Sequence, residues 1–102
     1  MNRKNQIEAM LADEPNDPEL RYMLAMEHVS LGDDGGAVTH FRHVIDLALN
    51  YPPAYHQAGR ALQRLNRLTE AREVLEKGIP LALAQGNGHA AGEMQELLEN
   101  LD

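Results

Sequence analysis

The side chains with the sharpest chemistry in this chain are its five histidines, a middle run of arginines and three aliphatic hydroxyls. His40 and His43 stand three apart, a spacing that turns two imidazoles to one side of a helix, and His56 or Asp46 would complete a metal set. No adjacent ligand-rich motif accompanies them, so no metal is expected. His40 and His43 then read as surface or groove-edge residues. His28 reads as a buried stand-in for an aromatic, whose protonation near pH ~6.5 would cost stability. The hydroxyls, Ser30, Thr39 and Thr69, lack a nucleophile elbow, and the chain carries no paired-carboxylate motif. Gly35-Gly36 and Gly86-Asn87-Gly88 lack the strand that a phosphate loop follows, and they read as turns. Thr69 reads as a helix cap. Cysteine is absent, which removes disulfides, thiolate metal sites and a cysteine nucleophile. The residues point away from an enzyme, and no cofactor is expected.

Charge narrows the partner class. The chain has 102 residues and a net charge of −7, which argues against a general nucleic-acid binder. The charge is uneven: residues 1–34 sum to −5, residues 86–102 carry four acids and no Lys or Arg, and residues 52–79 sum to +2. The longest apolar run, Ile79 to Ala84, is too short to cross a membrane. The polar start, Met1–Gln6, does not resemble a secretory leader. A reducing cytoplasm is the expected setting.

The elements that must position these residues follow a helical period, and no segment alternates like a strand. Six helices are expected in one all-α domain. The first spans roughly Arg3–Ala12 with Ile7, Met10 and Leu11 on one face. The second opens at Asp17-Pro18, runs to Leu31 and stops at Gly32. Asp33 or Asp34 caps the third, which carries Val38, Phe41, Val44, Ile45 and Leu49. After the break at Asn50–Pro53, a fourth reaches Leu65, and Asn66 takes the place of Gly32. The fifth runs from Leu68-Thr69 to about Gln85 and should bend at Pro80. The last sets Ala91, Met94, Leu97, Leu98 and Leu101 on one stripe, opposite Glu93, Glu96 and Glu99.

Two of these helix pairs repeat at 34 residues: Pro18 with Pro52, Leu24 with Ala58, Ala25 with Gly59, Leu31 with Leu65, Ala37 with Ala71, and Phe41 with Leu75. That period marks stacked helix–turn–helix units, which present surfaces rather than catalytic centres. The residues resemble the tetratricopeptide-repeat pattern: Tyr55, Ala58-Gly59, Leu62, Ala71 and Leu75 in one unit, Arg21, Leu24-Ala25, His28, Ala37 and Phe41 in the other. Arg21 and His28 depart from its aromatics, and Leu49 and Leu83 from its closing proline, which Pro15 supplies one period earlier.

The resemblance implies a right-handed α-α superhelix over residues 1–102: a partial-repeat helix at 3–15, repeats at 18–51 and 52–85, and a capping helix at 88–101. It also implies that a partner peptide lies in the groove lined by each unit's first helix. The groove stripe would be Tyr22, Met26, Val29 and Ser30, then His56, Arg60, Gln63 and Arg64. That is an apolar patch beside a cationic one, suited to a peptide with a hydrophobic anchor and carboxylates. The Lys and Asn pattern that grips acidic chaperone tails is absent at Tyr22, Met26 and Gln57. Two alternatives stand beside this reading. The Arg60, Arg64 and Arg67 stripe is only a solvated face, or the chain is a homo-oligomeric assembly subunit that uses the groove or its terminal helices.

Overall fold

The computed structural model describes residues 2–101; Met1 at the head of the polar start and Asp102 among the C-terminal acids lie outside the described residues. These residues form six helices: α1 (Arg3–Asp13), α2 (Pro18–Ser30), α3 (Asp34–Leu47), α4 (Pro52–Arg64), α5 (Leu68–Ala84) and α6 (Gly88–Glu99). Each start has a local cause. Asp17 accepts from the Glu19 and Leu20 amides ahead of Pro18, and Asn2, Asp33 and Asn87 cap their helices in the same way. Gly32 (φ 78°) and Asn66 (φ 59°) close α2 and α4 in the left-handed region, where Asn is the best substitute for Gly.

Consecutive helices pack on one another, and α4 also touches α6, so the hairpins stack into a solenoid of 40 × 28 × 19 Å. Ala25, Ala37, Ala58 and Ala71 are fully buried, which lets backbones approach. At Gly59 an added Cβ would come within 2.7 Å of Leu75. Phe41, Leu62, Leu75 and Met94 fill the space between hairpins, each contributing about 1.5–3 kcal/mol by burial. A smaller cluster of Ile7, Leu11 and Leu24 fastens α1 to α2.

Several expectations are corrected. Thr69 does not cap α5: Arg67 holds the cap position and its guanidinium binds Glu70 instead. Leu49 lies beyond the end of α3 and is 69% exposed, because the chain has already turned out toward Pro52. As expected, the fifth helix runs through Pro80, which sits on its exposed side while Gly78 and Ala82 face the core. Ile7 and Leu11 on α1 are buried within the single chain and Leu97 and Leu98 on α6 pack on its core, whereas Met10 is 43% exposed; Leu101 is also buried, but it lies beyond the end of α6 rather than on its stripe.

Candidate functional site

Helices α4 and α6 converge on a cleft of about 340 Å³ lined by His56, Arg60, Glu93, Glu96, Leu97 and Asn100. The helical period places His56 and Arg60 one turn apart on α4, and Glu93 and Glu96 likewise on α6. The two walls carry opposite charge. Yet Arg60 forms no ion pair with another described residue, and Glu96 likewise forms none, while Glu93 meets only His89 on its own helix at 2.9 Å. Burial pushes the His56 imidazole below its usual range, with Glu93 pulling it back up and Arg60 adding to the depression. At neutral pH His56 is therefore a neutral donor and acceptor, and Arg60 carries the wall's positive charge.

The other groove residues are placed differently. Arg64 turns away toward the start of α3, where its Nε and Nη2 donate to Asp34 Oδ1 at 3.0 and 2.9 Å. Gln63 is half-buried and Ser30 exposed. Tyr22, Met26 and Val29 are half-buried against the main core. The Tyr22 ring sits 5.7 Å from Phe41 and 5.4 Å from Tyr51, centroid to centroid, and burial raises its phenol, which keeps it uncharged. A ring already packed between two others has less freedom to lose when a ligand packs on it.

The histidines outside the cleft do not assemble a ligand set: among the described residues no three His, Asp or Glu come together in a metal-holding group. His40 and His28 stack instead, with centroids 4.8 Å apart. His28 is not a plain aromatic substitute, because its Nδ1 bonds Asp33 Oδ2 at 2.8 Å. Gly36 makes room for that contact: a Cβ there would overlap the Asp33 carboxylate and sit 2.7 Å from His28 Nδ1.

Sequence reasoning missed Glu93, Glu96, Leu97 and Asn100 as a wall, because it assigned α6 to capping. The signal was present in the charge distribution, an acidic end following a basic middle. Its meaning depended on α6 folding back against α4.

The sequence profile described as tetratricopeptide repeat matches residues 18–51 and 52–84. The chain is similar to a TPR repeat-containing protein of Pseudomonas aeruginosa, 29% identical over 96 residues that make up 94% of this chain and 91% of that one. It is also similar to a solved protein of Bordetella parapertussis, with a TM-score of 0.85 and 27% identity over 99% of this chain and 88% of that one. The TPR2B domain of yeast Sti1, solved in its pHsp70 complex, shares the fold at a TM-score of 0.90, with 19% identity over 96% of this chain and 78% of that one. Among the described residues no helix is long and apolar enough to cross a membrane.

Proposed function

The chain belongs to the tetratricopeptide-repeat family, and from that premise we propose that it is a non-catalytic module that holds a segment of a partner protein along the first helices of its units. One observation carries the reading: the walls of the α4–α6 cleft are oppositely charged and leave Arg60 unpaired among the described residues. A cation facing an open cleft is available to a ligand without first breaking a native bond. A carboxylate of the partner would dock on Arg60 as a bidentate acceptor. His56 and Gln63 would serve its backbone, and Tyr22, Met26 and Val29 an apolar side chain further along, with Ser30 at the edge. Arg64, tied to Asp34, would contribute field rather than contact. The Sti1 domain, solved with pHsp70, is a precedent for this use of the fold.

The test is affinity capture from native lysate by wild type and by His56→Glu/Arg60→Glu, after equal helix content has been established by circular dichroism. Arg64 is left alone, since its substitution would also break a structural ion pair. A protein retained by wild type, released by raised salt and lost in the variant is the expected result. Equal capture by both forms would reduce Arg60 to a solvated charge.

A further inference from the structure

We propose that the segment held between α4 and α6 is an extended stretch of a partner chain in which a glutamate is followed directly by a lysine. The glutamate sits on Arg60 and the lysine on Glu93 and Glu96. The lysine's seat is the new element, and it depends on the groove role proposed for Arg60. Arg60 stands on one wall of the cleft of about 340 Å³ and the two glutamates on the other, with Leu97 and Asn100 completing the α6 side. All three charged residues are exposed, and among the described residues no ion pair joins the two walls. Opposite charges held apart across a cleft complement a ligand whose own two charges point to opposite sides.

The charge count shows why a carboxylate alone is not enough. With His56 neutral, the lining carries Arg60 against Glu93 and Glu96, an excess of one negative charge. Outside the lining, only the exposed His89 touches any of the three, at 2.9 Å from Glu93. Even a protonated His89 would leave Glu96 unpaired. A partner carboxylate arriving on Arg60 adds to the negative side, and a lysine beside it offsets that repulsion. Sequence neighbours reach both walls because successive side chains of an extended chain point to opposite faces. Glu93 and Glu96 share one helical face, so a single ammonium with three donors can serve both carboxylates. The lysine methylenes then lie along Leu97.

Three capped peptides serve as probes, titrated into ¹⁵N-labelled protein: acetyl-Ala-Glu-Lys-Ala-amide, acetyl-Ala-Glu-Gln-Ala-amide and acetyl-Ala-Gln-Lys-Ala-amide. The Glu-Lys peptide should shift the amides of His56, Arg60, Glu93, Glu96 and Leu97, and bind about tenfold more tightly than either of the others. Glu93→Gln/Glu96→Gln should erase its advantage over the Glu-Gln peptide while the rest of the spectrum stays that of the folded protein. Equal affinity for the Glu-Lys and Glu-Gln peptides, with Gln-Lys weaker, would overturn the lysine seat and leave the role of Arg60 standing. Equal affinity for Glu-Lys and Gln-Lys would remove Arg60 as the carboxylate's seat, and the paired occupant with it. An advantage that survives in the double variant would also overturn the proposal. So would the absence of any shift at about 10 mM peptide, where even a Kd of ~1 mM would be largely saturated.

Discussion

The first repeat (residues 18–51) and the second (residues 52–84) meet the same packing demand with different chemistry. Arg21 and Tyr55 stand 34 residues apart at the head of the two units, and each reaches back six residues to a backbone carbonyl. Tyr55 does it well: its ring is buried and its hydroxyl donates to Leu49 at 2.8 Å. Arg21 does it poorly, with a 3.4 Å contact to Pro15 and a buried Nε that has no partner. Further on, Leu62 is wholly buried where the first repeat has His28, which leans on Asp33 and needs Gly36 beside it. The second repeat replaces Asp33 and Gly36 by Arg67 and Glu70, an exposed ion pair that lies outside the core. A repeat fold tolerates polar anchors when a neighbouring unit supplies the apolar ones, since stability is shared through nearest-neighbour interfaces.

Removing the better anchor should expose that division most strongly. Tyr55→Ala deletes a buried ring and its hydrogen bond and should cost about 3–4 kcal/mol. Arg21→Ala should cost less than about 1 kcal/mol, because it also removes a buried unpaired donor. Urea unfolding midpoints at constant m-value measure both. Equal losses would mean that the two repeats are equally dependent on their anchors. Copying the second repeat into the first gives the next effect. Arg21→Tyr should stabilise by about 1 kcal/mol, as the orphaned Nε goes and a phenol can reach the Pro15 carbonyl. A loss instead would show that the cationic stem packs better than a ring in that position.

The comparison also explains what was legible from sequence. Helix order, the left-handed stops at Gly32 and Asn66, and the small residues Ala25, Ala37, Ala58 and Ala71 follow from local chemistry and period, and all appear in the structure. Local rules failed elsewhere. Thr69 misses the cap because α5 begins one residue ahead of it, at Leu68. Arg64 left its stripe because Asp34, distant in sequence, lay within reach across the repeat boundary. The acidic wall of the cleft showed in the sequence only as an acidic end, for the same reason: Glu93 and Glu96 acquire their meaning only from α4, more than thirty residues away. The anchoring of Tyr22 by Phe41 and Tyr51 is likewise a tertiary fact.

Acid should sharpen the contrast. Burial holds the His40 imidazole below its usual range, and His28, Arg21 and His43 press the same way while Glu8 opposes them. Between that lowered value and about pH 6.5 the unfolded chain binds a proton that the folded one refuses. The contribution is therefore complete above about pH 6.5 and falls as the pH drops. His56 acts in the same sense from the cleft. Asp33, depressed by the Gly36 amide and then by His28, keeps its contribution above the ordinary carboxylate range and loses it lower down. Val74 occupies the equivalent of His40 in the second repeat, so His40→Val should flatten the fall in unfolding midpoint between about pH 6.5 and 5. An unchanged slope would move the acid sensitivity out of the first repeat.

The smallest effect belongs to the clasp between the repeats. Arg64 and Asp34 are separated by 30 residues, with side chains 38% and 19% exposed. Asp34 also lies in the first turn of α3, where a negative charge suits the helix dipole. Solvent screens most of the Coulomb term, so Arg64→Gln should cost about 0.5 kcal/mol at low salt and nothing measurable near 1 M. The pair joins the end of α4 to the start of α3, so the loss should raise amide exchange at both helix ends together. Exchange that rises at only one end would mean that the repeats are held in register by their apolar interface alone. In that case Arg64 would be as free as Arg60 to meet a ligand, and the cationic stripe would regain its second member.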